Sequence, residues 1–160
     1  MLDLSLRSVP TKRKPSAWLL EINPRPPGIQ AADAIKHSYG VDYWGPALLF
    51  ALQDRKRARH LSHPFTQGSQ YWCEMVFIPV VKGGICLSDD PCFELFSRRP
   101  GLAAQVSWWC TFWTKGERVP DPSEDRNAFF AHLNIFSRTS RAHTPEIGET
   151  VRKELRYSIV

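Results

Sequence analysis

The residues best suited to chemistry gather in residues 18–28, WLLEINPRPPG. Glu21 and Asn23 stand two apart in a segment that reads as a β-strand, so their side chains project to the same side. A carboxylate and a neutral amide oxygen form the kind of oxygen donor pair that a hard cation such as Mg2+ accepts while keeping positions for water and phosphate. Arg25 continues the two-residue spacing and adds a planar fork of donors matched to phosphate oxygens. A second carboxylate, Asp3, lies near the start of the chain. Leu2, Leu4 and Leu6 alternate with Asp3, Ser5 and Arg7, which predicts a strand with one buried face. Pro10 and Pro15 bound a polar turn, and residues 17–23 form the returning strand of a hairpin. With the turn centred near Lys12, Asp3 falls opposite Glu21 on the face that carries Asn23. Two carboxylates so placed repel, and a divalent cation between them removes that cost. A solvated strand face would explain Glu21 and Asn23 taken alone. The flanking WLL and PPG segments argue for the binding role.

The elements around this segment follow from pattern. Pro24, Pro26 and Pro27 stop the sheet, and Gly28 frees the backbone for the entry into a helix over residues 29–37 that ends near Gly40. A second helix runs from Asp42, its N-cap, to Leu52. Arg55, Lys56, Arg57 and Arg59 are expected to close it, where cations favour a helix C-terminus. From about residue 66 the chain turns β-rich. Strands are predicted over 69–80, 85–87, 105–114 and 129–136, with a turn at Gly83-Gly84. Lys115-Gly116 is expected to turn the third of these back onto 117–119, and 120–125 form a loop. Short helical patterning covers 90–97. The last helix is predicted over 145–157, capped by Thr144, with Ile147, Val151 and Leu155 on one face. These elements make a mixed α/β (α+β) chain, divided into residues 1–65 and a closing module over 66–160.

Composition sets the bounds. A chain of 160 residues with 42% apolar content can bury a core but cannot form two large domains. The net charge of +5 suits an anionic ligand, and equally suits solubility. Cys73, Cys86, Cys92 and Cys110 form no C-x-x-C pair and share no zinc-like spacing with the five histidines, so free thiols in a reducing compartment are expected. No leader and no membrane-spanning stretch is evident, which predicts a cytoplasmic protein without a membrane partner. His132, in AFFAHLNIF, reads as a packed histidine rather than a catalytic one. His60 and His63 lack companion ligands, and the RKRAR run at 55–59 reads as a solvated helix end rather than a nucleic-acid contact. The tryptophans read as core and sheet-face residues, and residues 137–141, SRTSR, as a helix cap. Neither Cys73 nor Ser140 has base and orienting partners at a recognisable spacing, so a nucleophile is excluded.

EINPRPPG resembles the E-x-N-x-R signature near the C-terminal end of the ATP-grasp superfamily. Within that superfamily the chain is most similar to carnosine-synthase-like carboxylate–amine ligases. SYGVDYWGPALLFAL resembles the G-V-D helix that follows the signature, and RRPGLAAQV, KGERVP and SRTSR resemble the small β-rich closing module. The resemblance covers most of the chain. It implies that Glu21 and Asn23 coordinate Mg2+ bridging ATP phosphates, that Asp3 is the acidic metal ligand of the preceding strand, and that Arg25 is the catalytic residue contacting phosphate or the acyl phosphate. The implied reaction activates a small-molecule carboxylate with ATP and forms an amide with an amine. Such an enzyme carries an N-terminal domain and a lid with a phosphate-covering loop ahead of the signature. This chain has no Gly-rich phosphate loop or Walker motif. The resemblance therefore implies the last third of such an enzyme: a fragment, a split subunit needing a partner chain, or a non-catalytic remnant serving as an interaction module.

Overall fold

The computed structural model describes residues 25–124 and 128–160. The expected hairpin, with Asp3, Glu21 and Asn23, lies outside the described residues. After Pro26-Pro27-Gly28 the segment IQAADAIKHSY forms α1 (Ile29–Tyr39). Gly40 ends it in the left-handed region at φ 79°, donating its N–H to the Lys36 carbonyl; glycine takes that angle without steric cost. Asp42 then opens α2 (Trp44–Ala51), accepting from the Trp44 and Gly45 amides at 2.9 and 3.1 Å and pairing with Lys36 at 3.0 Å.

The basic run is placed differently from expectation. Gln53 adopts φ 60°, which breaks the helix, and the Asp54 carboxylate caps a new one, α3 (Arg55–Leu61), by accepting from the Arg57 amide at 3.0 Å. Arg55, Lys56 and Arg57 thus open α3 instead of closing α2. The Asp54 cap and its pairing with the Arg57 guanidinium offset the unfavourable dipole placement.

The β-rich half contains β1 (Trp72–Pro79), β2 (Gly84–Ile85), α4 (Pro91–Arg98), α5 (Pro100–Ala103), β3 (Val106–Thr111), β4 (Arg118–Val119), β5 (Phe129–Ser137) and α6 (His143–Glu154). β1, β5 and β3 form an antiparallel sheet in that order, so the last strand lies in the middle. Val76 faces Leu133, and Val106 faces Ile135. β4 pairs with β2, not with β3, contrary to the hairpin expected at Lys115-Gly116. Both short strands fall where the sequence places them, but two residues carry too little pattern to choose a partner. The chain end joins this small ribbon through a bridge between Cys86 and Ile159.

One face of the sheet meets α6 and α4 over Val76, Ile78, Leu95, Leu133, Ile135, Ile147 and Val151, all buried. Side chains of this size contribute about 1.5–3 kcal/mol each when fully buried. Phe130 stacks on Tyr157 at 3.9 Å, and the Tyr157 hydroxyl donates to the Pro79 carbonyl. The other face receives α1, which packs on all three strands.

α6 begins at His143, and Thr144 is not its cap. The preceding loop does that work: Ser140 Oγ accepts from the His143 amide at 3.1 Å, and Ser137 Oγ accepts from the Thr139 amide at 3.1 Å. Among the described residues no helix is long and apolar enough to cross a membrane.

Candidate functional site

α1 is fixed to the sheet by a polar seam on an otherwise apolar face. Asn134, in the middle of β5 and fully buried, donates through Nδ2 to the Gln30 carbonyl at 2.7 Å and to Asp33 Oδ2 at 3.0 Å. Ser107 on β3 donates to the same Asp33 oxygen at 2.9 Å, and Gln30 Nε2 donates to the Leu133 carbonyl at 3.2 Å. Buried polar groups demand partners, and these four bonds set both the position and the rotation of the first half of α1. Farther along, His37 stacks on Tyr71 at 4.4 Å and meets Phe136 at 4.3 Å.

Arg25 lies just ahead of this anchored helix. It is exposed and enters α1 through Pro26, Pro27 and Gly28, whose carbonyl accepts the Ala32 amide at 2.8 Å. No acidic residue occupies the first turn of α1, and the space around Gly28 is open. The positive end of a helix with a neighbouring guanidinium favours an anion. Of the expected site residues the structure places Arg25 at this end; Asp3, Glu21 and Asn23 lie outside the described residues. Among the described residues no group of three or more His, Cys, Asp or Glu is arranged to hold a metal ion.

The other titratable groups behave as structure. His132 is ringed by Phe77, Phe112 and Phe129 at 4.5–4.9 Å, its Nε2 has no partner among the described residues, and burial holds its pKa below the usual histidine value. Burial likewise lowers His37. All four cysteines are free. Burial pushes the thiols of Cys73 and Cys92 up to about 11, so neither is a ready nucleophile. Trp113 Nε1 donates to the Phe129 carbonyl at 3.0 Å, and Trp109 packs edge-on against Phe96.

The seam of Gln30, Asp33, Ser107 and Asn134 was missed in sequence. Its one signal is the Asn in AFFAHLNIF, a polar amide among residues patterned for burial.

No protein-family model matches the chain. It is 44% identical over 154 residues to a protein of Aspergillus fumigatus named ATP-grasp enzyme fsqD; the match takes in 94% of this chain and 27% of that protein. Its fold superimposes on part of the crystal structure of an L-amino acid ligase from Bacillus licheniformis, with a TM-score of 0.59 at 14% identity, covering 81% of this chain and 29% of the ligase. The chain thus spans less than a third of either protein. It is a homologue of one segment of a protein named as an ATP-grasp enzyme, and its mixed α/β fold is that of a portion of the L-amino acid ligase.

Proposed function

We propose that this chain supplies the metal and phosphate end of an ATP site in an ATP-dependent carboxylate–amine ligase of the carnosine-synthase-like kind. The observation that carries this reading is the 44% identity to the fungal protein. That match takes in 94% of the 160 residues, which leaves about 10 outside it. In this reading Asp3, Glu21 and Asn23 hold Mg2+. Two carboxylates and an amide form the oxygen set that ion prefers. When bound there, Mg2+ would supply positive charge beside the phosphate oxygens. Arg25, just ahead of α1, pairs with phosphate oxygens through its guanidinium. Residues 1–65 supply this end of the site, and 66–160 form the closing module. The substrates are ATP, a small carboxylate and an amine, and the rest of the nucleotide pocket comes from polypeptide outside this chain.

Titration of Mg-ATP into the wild type, Arg25→Lys and Arg25→Ala tests the reading. Affinity should fall in that order, by about tenfold or more for the alanine variant, the scale of a charge-assisted hydrogen bond. Equal affinity in all three would remove Arg25 from the site.

A second reading, a non-catalytic interaction module, is favoured by α2. Its Trp44, Leu48 and Leu52 turn one stripe to solvent, with exposures of 50%, 63% and 67%. Contiguous apolar surface of this kind marks interaction sites. Retained partner binding in a chain that never binds Mg-ATP would select that reading.

A further inference from the structure

α1 covers only part of its side of the sheet. Gln30 bonds at Leu133 and Asn134, and His37 meets Phe136. The helix therefore runs along β5 in the strand's own direction, and its first turn opens toward His132. Phe77 on β1 stands directly opposite His132, and Met75 opposite Asn134, so all four side chains share the face that carries α1. Phe77, Phe112 and Phe129 ring His132 with centroids 4.5–4.9 Å away. Phe77, Met75 and Phe112 are nevertheless 38%, 42% and 46% exposed. A contiguous apolar floor of this kind on a central sheet marks a contact surface.

The chain itself arrives at this floor. The first turn of α1 opens toward it, Pro26 and Pro27 just ahead are half-buried, and residues 1–24 lie outside the described ones. His132, at the centre, is two strand positions from Asn134, about 7 Å. Ile22 stands seven positions ahead of Ile29, a reach of up to about 23 Å, so residues 20–22 can lie across the whole floor. Their pattern fits it. Leu20 and Ile22 alternate with Glu21 and Asn23, so on a strand the apolar pair faces one way and the oxygen donors the other. A linker this short gives the segment an effective concentration of about millimolar, which favours it over a second copy or a separate partner.

We propose that the floor of Met75, Phe77, Phe112, Phe129 and His132 is the docking surface for the apolar side of residues 17–23. Leu20 and Ile22 rest on the aromatic rings, and Glu21 and Asn23 face away from the sheet. The docking stands on the sheet face alone. That the outward pair then meets Mg2+ rests on the ATP-site reading, which the arrangement deepens: the closing module sets which side of the signature strand faces the nucleotide.

Photo-crosslinking of the 160-residue chain, without nucleotide, tests this. The photoreactive amino acid p-benzoylphenylalanine replaces Ile22 in one sample and Glu21 in another, and the cross-linked peptides are located by mass spectrometry. Cross-links from position 22 should fall within the chain, on the peptides that carry residues 75–77, 112 and 129, and should be lost from position 21. In a second measurement, Phe77→Ser plus Phe112→Ser, both at exposed positions, should remove the hydrogen-exchange protection of amides 19–23 while those of β5 stay protected. Cross-links from position 22 to another part of the chain, between chains only, or none at all overturn the proposal. So does equal exchange of residues 19–23 in the wild type and the double variant. With no nucleotide present, these outcomes are separate from whether Mg-ATP binds.

Discussion

Replacing Asn134 with alanine removes the centre of the seam that holds α1 on the sheet. Its amide makes one bond to a neutral carbonyl, Gln30 at 2.7 Å, and one to a carboxylate, Asp33 at 3.0 Å. The first is worth about 1 kcal/mol and the second about 1.5–3 kcal/mol. Asn134 is fully buried, so water does not readily replace its amide. Asp33 keeps the Ser107 hydroxyl and is only half-buried, which trims the loss. Asn134 Oδ1 has no partner among the described residues, and its removal offsets part of the loss, so the expected destabilisation is about 1–2 kcal/mol. With a urea slope of about 2 kcal/mol/M for a chain of this size, the midpoint should fall by about 0.5–1 M. Hydrogen exchange should show the α1 amides losing protection ahead of those in β5. A double-mutant cycle with Asp33→Ala should return a coupling of about 1 kcal/mol or more. A midpoint within about 0.3 M of wild type, with α1 protection unchanged, would refute the reasoning: the seam would then be dispensable to the placement of α1.

Three further outcomes follow from the same structure. His37 and His132 have folded-state pKa values held below 6.5, so the unfolded chain binds more protons below that pH; stability should be full above about pH 6.5 and fall as pH drops through it, and His132→Phe should flatten melting temperature against pH between 7.5 and 5.5. Gly84 sits at φ 145°, and an added Cβ would run into the Val160 carbonyl oxygen, so Gly84→Ala should destabilise the fold by about 1–3 kcal/mol, the cost of such strain, and free residues 158–160 to proteolysis. Alkylation at pH 8 should be slow at Cys73 and Cys92, whose thiols titrate near 11, and should rise to the rate of a free thiol on adding denaturant; fast native-state labelling at either would contradict their burial.

Local pattern was enough to predict the long elements. The spacing of apolar residues and the Gly40 stop mark α1, and the run of β-branched and aromatic residues marks β1 and β5. Sheet order was not legible, because it depends on pairings such as Val76 with Leu133 that lie 57 positions apart. The break between α2 and α3 was readable in principle from Asp54, a capping residue, but the periodicity of the apolar run masked it. Thr144 was taken for a cap because threonine ahead of proline has that look, whereas the serines at 137 and 140 are the ones within reach. Of the candidate site, the metal and phosphate residues are close in sequence and so could be named. The seam that fixes α1 could not: Asn134 and Gln30 meet across 104 positions.

The account rests on Asp3, Glu21, Asn23 and Arg25 forming the metal and phosphate end of an ATP site. The most direct measurement is a titration with ATP, in Mg2+ and in EDTA, of this chain together with the polypeptide that completes the pocket, comparing wild type with the double variant Glu21→Ala plus Asn23→Ala. The account predicts nucleotide binding that requires Mg2+ in the wild type and is lost in the double variant, with melting behaviour otherwise unchanged. Binding that is independent of Mg2+, or equal in the two proteins, would contradict it.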